Sequence, residues 1–172
     1  MDYKKKQRRG FTLVEIMFAV LIFTLMVLGC AAAFPFALKA GHTGNNYGQA
    51  ALIAQHKIDQ CREQGYTAIY PGSGTISTRL SSLKIVDSGG TANPAGYPAG
   101  SVSYTFSGVD NLASSNFPPG TVGTLIIGPP NVGATPHWTP VGQVVQVTVV
   151  VSWPAGVQAS GGFTTHTLIV NG

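Results

Sequence analysis

The chain has 172 residues, 44% of them hydrophobic and only 9% charged, with a formal net charge of +4. That length allows one modest globular domain plus an extended element. The charge sits entirely at the start, in Lys4, Lys5, Lys6, Arg8 and Arg9 less Asp2, and the rest of the chain balances five bases against five acids. The basic excess therefore argues against nucleic acid as a partner of anything beyond the first ten residues.

The basic run ends at Gly10, and a long apolar segment begins at Phe11. One acid, Glu15, sits five places into it, and residues 16–38 carry no formal charge. About 20 apolar residues in a helix span the roughly 30 Å hydrocarbon core of a bilayer. The segment is long enough to cross a membrane, and the preceding lysines and arginines should hold that end in the cytoplasm. Glu15 is then out of place, because a carboxylate at membrane depth costs on the order of 3 kcal/mol unless it finds a partner. No lysine or arginine of the helix lies near it. A cut between Gly10 and Phe11 would supply one, since a new terminal amine has a pKa of about 8 and is mostly charged at neutral pH.

Gly10-Phe11-Thr12-Leu13-Val14-Glu15, after a short basic leader, resembles the processing site of type IV prepilins and type II secretion pseudopilins. The resemblance covers residues 4–66; beyond that only the general plan agrees. It implies a membrane-embedded prepilin peptidase that cuts after Gly10 and methylates the new amino terminus at Phe11. It also implies that Glu15 neutralises the amino terminus of a neighbouring subunit during filament assembly. Other pilin subunits, an inner-membrane assembly platform and its cytoplasmic motor would be the partners.

The helix should begin at Thr12 or soon after. Pro35 removes one backbone bond and crowds the preceding turn. Gly29, Gly41, Gly44 and Gly48 weaken the helix by about 1 kcal/mol each relative to alanine. The expectation is a kinked or locally melted rod that continues past residue 38. From Tyr47 the helical signal returns: Tyr47, Ala50, Ala51, Ala54, Ile58 and Cys61 form one stripe at spacings of three and four, with Gln49, Gln55, His56, Lys57, Gln60 and Arg62 facing elsewhere. Asn45 or Asn46 could cap this half, and Gly65 should stop it. Cys30 and Cys61, if joined by one helix, stand about 45 Å apart, too far for a disulfide.

Residues 71–100 are rich in glycine and proline and read as loop, with one short strand expected around Leu80, Leu83, Ile85 and Val86. Strands are expected over 101–107, 122–127, 143–153 and 163–170. The first places Val102, Tyr104 and Phe106 on one face. The third places Val145, Val147, Val149, Val151 and Trp153 on one face. The last two strands should pair as an antiparallel hairpin across a turn at 154–162. The fold class is therefore α+β, a pilin-like long helix packed on an antiparallel sheet. Its divisions are a cleaved leader at 1–10, a membrane-spanning or filament-core helix at 11–38, an amphipathic half at 39–66 and a β-rich head at 67–172.

Catalytic chemistry finds little material. His42, His56, His137 and His166 show no metal-ligand spacing, and His56 with Asp59 reads as a solvated polar face. Gly72-Ser73-Gly74 and Ser160-Gly161-Gly162 are turn material without the strand-turn-helix context of a phosphate loop or nucleophile elbow. No enzyme activity, cofactor or metal is expected. Two rival readings concern the first segment. Val27-Leu28-Gly29-Cys30 resembles a lipoprotein lipobox, and Ala31-Ala32-Ala33 an ordinary signal-peptidase site. Either would release a secreted or lipid-anchored binding module, and neither gives Glu15 a purpose. An uncut single-pass membrane protein has no use for it either.

The preferred reading is a structural subunit of a type IV pilus or related filament. It is held in the inner membrane first and becomes extracellular or periplasmic after assembly. The helix ending AQHKIDQCREQGY and the closing hairpin with Trp153 resemble minor pilins and minor pseudopilins, while a major subunit stays open.

Overall fold

In the computed structural model, residues 10–70, 76–87, 89–112, 117–130, 144–154 and 161–171 are described. The basic residues before Gly10, the turn at 72–74, His137, Gln143 and Ser160 lie outside them. Two compact units are present, Met1–His42 and Thr43–Gly172.

Helix α1 runs Leu13–Gln64 without a break in its assignment, with Pro35 inside it. It continues beyond residue 38, as expected, but no stretch around Pro35 or the glycines is melted. One proline deletes a single backbone bond, and neighbouring turns on both sides keep theirs, so cooperativity holds the helix together. Asn46 caps nothing, because the helix does not restart there; it is an interior residue of α1 and is buried. Gly65 does stop the helix. It takes φ 72° and ψ 172°, an extended conformation with positive φ that only glycine adopts readily, in place of the left-handed helical geometry expected.

Two short helices follow, α2 (Tyr66–Ile69) and α3 (Ile76–Ser82). α3 replaces the strand expected around Leu80. Ile76 and Leu80 stand one helical turn apart and are both buried, so the helical period wins. The helix ends in a Schellman cap: Lys84 N–H donates to the Ser81 carbonyl at 3.0 Å and Ile85 N–H to the Leu80 carbonyl at 2.9 Å. Lys84 holds the left-handed position at φ 56°. Ile85 and Val86 then enter the core as irregular chain.

The sheet has five antiparallel strands in the order β1 (Thr91–Ala92), β2 (Val102–Thr105), β3 (Val122–Gly128), β4 (Val144–Trp153) and β5 (Gly161–Val170). β1 was not anticipated, since two residues carry no alternation to detect. β4 and β5 form the expected hairpin, with Val149 opposite Thr165 and Trp153 opposite Gly161. Val145, Val147, Val149 and Val151 are fully buried, each gaining on the order of 1.5–3 kcal/mol from leaving water. They share one core with Ala50, Ala54, Ile58 and Cys61 of α1, with Leu80 of α3 and with Phe106. This is the expected α+β, pilin-like arrangement of a long helix and an antiparallel sheet.

Gly123 and Gly161 are among the glycines fixed by close approach. A Cβ at Gly123 would lie 2.2 Å from the Phe106 ring, and one at Gly161 would lie 2.6 Å from the Trp153 indole. Each lets a large aromatic lie flat on its own sheet.

Candidate processing and assembly site

Gly10 and Phe11 are exposed and precede the first helical residue. Thr12 is the N-cap: its Oγ1 accepts a hydrogen bond from the Glu15 N–H at 3.3 Å, and its carbonyl accepts from the Glu15 and Ile16 N–H groups at 3.1 and 3.3 Å. Thr12-Leu13-Val14-Glu15 is thus half of a capping box, a serine or threonine followed three residues later by a glutamate. The cap fixes where α1 begins and makes Glu15 its third helical residue. Glu15 stands in the first turn, where unpaired backbone N–H groups and the helix dipole favour an anion, typically by 0.3–1 kcal/mol. That gain is smaller than the cost of a carboxylate at membrane depth, so the helix end alone does not settle the charge.

Around this acid the surface is apolar. Phe11, Glu15, Ile16, Ala19, Val20 and Phe23 line a shallow open groove, and a second groove runs past Phe23, Met26, Val27, Cys30, Ala31 and Phe34. Every described residue from Leu13 to His42 is exposed, including Phe18, Leu21, Phe23 and Phe34. α1 is long and apolar enough to cross a membrane. Apolar exposure on this scale marks a surface that meets lipid or protein.

Residues 5–31 match the family model of the prokaryotic N-terminal methylation motif. The chain carries the signal of a type IV pilin-like prepilin. The matched residues take in Gly10, Phe11 and Glu15. Such a motif implies processing by prepilin peptidase and assembly with other pilin-like subunits, and it marks a structural protein. With the apolar helix it fits anchoring in the inner membrane before assembly. Comparison with curated proteins and with solved structures returned no match.

Elsewhere the sequence-expected groups are dispersed. His56 is exposed, and its neighbour Asp59 is engaged by others, accepting from Gln55 Nε2 at 3.1 Å and lying 3.5 Å from an Arg62 guanidinium nitrogen. His166 is exposed on β5 opposite Thr148. Among the described residues no group of three His, Cys, Asp or Glu could hold a metal ion. Cys30 is exposed and Cys61 buried, both as free thiols. Burial pushes the Cys61 thiol up from 9.0 to about 12, with the Lys57 charge pulling the other way. Burial also raises the Tyr66 and Tyr104 phenols.

Lys57 is the main correction. Expected on the outer face of α1, it is completely buried. Its ammonium donates to the Ile85 carbonyl at 2.7 Å, lies 3.0 Å from Asp110 Oδ2 and stands 5.2 Å from the centre of the Phe106 ring. The contact with Asp110 is an ion pair without hydrogen-bond directionality. A sequence signal for it existed. Lys57 falls between Ala54 and Cys61 at the helical spacing of the buried stripe, and only its charge assigned it to solvent. Asp110 gave none, because it sits in a turn defined by glycine and asparagine. Thr12 was legible too, through the Thr-x-x-Glu spacing.

Proposed function

We propose that the chain is a structural subunit, major or minor, of a type IV pilus or a closely related filament. Prepilin peptidase cuts after Gly10, so that residues 1–10 are discarded and Phe11 becomes the methylated amino terminus. Residues 11–38 hold the subunit in the inner membrane and later pack in the filament core. Residues 39–66 join them to a head that extends over 67–172 and stays outside the cytoplasm. The observation that carries this reading is the methylation motif leading directly into an apolar helical stretch with no buried residue.

Lipid offers helices no strong hydrophobic drive to associate, so extraction must be driven by the assembly platform and its motor. Once out of lipid, the apolar stretch is kept from water by neighbouring copies. Glu15 sets the axial step by pairing with the terminal amine of an adjacent subunit. That contact is head-to-tail, and a head-to-tail contact that does not close generates an open helical assembly. The subunit needs no enzymatic activity and no cofactor for this role.

The test is a Glu15→Ala chain expressed in the native host. Cleavage should proceed, while the amount recovered in sheared filaments should fall to a small fraction of wild type. Wild-type filament incorporation of that variant would overturn the assembly role of Glu15.

A further inference from the structure

Charge is spread unevenly beyond the leader. Residues 11–172 are formally neutral, and none of residues 111–172 is Asp, Glu, Lys or Arg. That run supplies β3, β4 and β5. Net charge normally keeps protein surfaces apart, and a soluble surface carries about a quarter to a third charged residues. Copies without net charge have no long-range repulsion to hold them apart.

The inner face of these strands belongs to the core. On the outer face, Gln146, Thr148 and Val150 of β4 stand opposite Leu168, His166 and Thr164 of β5. Thr164, His166, Leu168 and Val170 are exposed, Leu168 by 53% and Val170 by 62%. Among the described strands β5 is also the last of the sheet, and it has neither the charges nor the proline that keep an exposed edge from pairing. Other exposed parts of Thr43–Gly172 do carry charge: Asp59, Arg62 and Glu63 on α1, Arg79 in α3 and Lys84 after it.

A charged partner laid on this face would lose water from its charges without gaining a counter-charge. A surface equally free of charge fits, and the chain itself supplies one: the same face of a second copy. Size decides where that copy is. The open part, β4 and β5, measures about 33 Å by 10 Å, on the order of 350 Å², less than half of the roughly 800 Å² that each partner of a stable pair buries. One contact is therefore weak and holds only where many copies are presented together, because linked contacts reinforce one another. A filament presents them so, and this face looks away from the α1 residues packed on the inner side of the sheet. We infer that the outer face of β4 and β5 is the surface through which filaments of this chain lie side by side, each copy against the same face of a copy in the next filament. The inference rests on the filament-subunit reading and needs many copies per filament.

Sheared filaments from the native host give the test, with a low-speed pellet for bundles, a high-speed pellet for single filaments and negative-stain microscopy of both. Wild type should enter the low-speed pellet equally at about 0.15 M and about 1 M salt, because a contact without charges is not screened. In a Thr164→Lys, Leu168→Lys chain the low-speed fraction at about 0.15 M salt should fall by about tenfold and pass to the high-speed pellet. A Thr78→Lys, Ser82→Lys chain adds the same charge on the exposed side of α3 and should bundle as wild type does. Leu168→Lys alone should show a smaller loss in the same direction, and it decides the matter if the double variant forms no filaments. Wild-type filaments that sediment singly, or only together with membrane or another protein, would overturn the inference and leave the filament reading standing. So would bundles that survive the lysines on β5, or that the lysines on α3 disperse equally. Wild type absent from both pellets would overturn the filament reading itself, and the inference with it.

Discussion

The two stretches of α1 obey opposite rules. From Leu13 to His42 no described side chain is buried, although most are apolar. From Thr43 to Gln64 the helix buries Asn46, Ala50, Ala54, Lys57, Ile58 and Cys61, two of which are polar. The first stretch carries its hydrophobic surface for partners outside the chain, lipid or neighbouring subunits. The second finds its partners within the chain, and there even a cation is accommodated. A helix is held by whatever covers its apolar face, so each stretch should respond to changes that leave the other untouched.

The sharpest separation should come from Gly10→Ala. A Cβ at Gly10 meets nothing within 4 Å, so the chain folds as before. Immunoblots of the membrane fraction should nevertheless show most of it at precursor mass. Lys57→Met should do the reverse, leaving cleavage intact while lowering the stability of the head by about 3–5 kcal/mol in a denaturant titration, because Asp110 loses its cation. Gly123→Ala, which drives a methyl into the Phe106 ring, should cost about 1–3 kcal/mol in the same titration.

The pH response comes next. The folded-state pKa of Cys61 lies above its ordinary value, so its contribution is fully present below pH 9.0 and is lost as pH rises toward about 12. Tyr66 and Tyr104, also raised, act in the same direction on that alkaline limb. Stability should therefore fall above pH 9.0, and Cys61→Ala should make the fall shallower when unfolding is followed at several alkaline pH values. The smallest effect is expected at Lys84, a non-glycine residue at φ 56°. Lys84→Gly should stabilise the head by about 0.5 kcal/mol, since relief of the left-handed penalty is partly offset by a more flexible unfolded chain.

Legibility followed the same division. The amino-terminal segment was readable because its signals are local: a basic run, a glycine, an acid at a fixed spacing and an unbroken apolar stretch. β4 was readable because five apolar residues alternate over its length, and β5 because it follows a glycine-rich turn. What escaped depended on distant residues. Lys57 was assigned to solvent because charge normally dictates exposure, and its receptor is assembled from loops that have no pattern of their own. The segment around Leu80 became a helix because Ile76 lies one turn before it, a period that a short apolar run disguises. The continuation of α1 past Pro35 was legible, since one missing hydrogen bond does not end a helix of 52 residues; only the local melting expected there is absent.

The central claim is the cut after Gly10, and the mass of the amino-terminal peptide from the chain isolated from its native membrane tests it most directly. A peptide beginning at Phe11 and heavier by one methyl group is the expected result. A peptide that retains the first ten residues, or a product beginning at a lipid-modified Cys30, would contradict it.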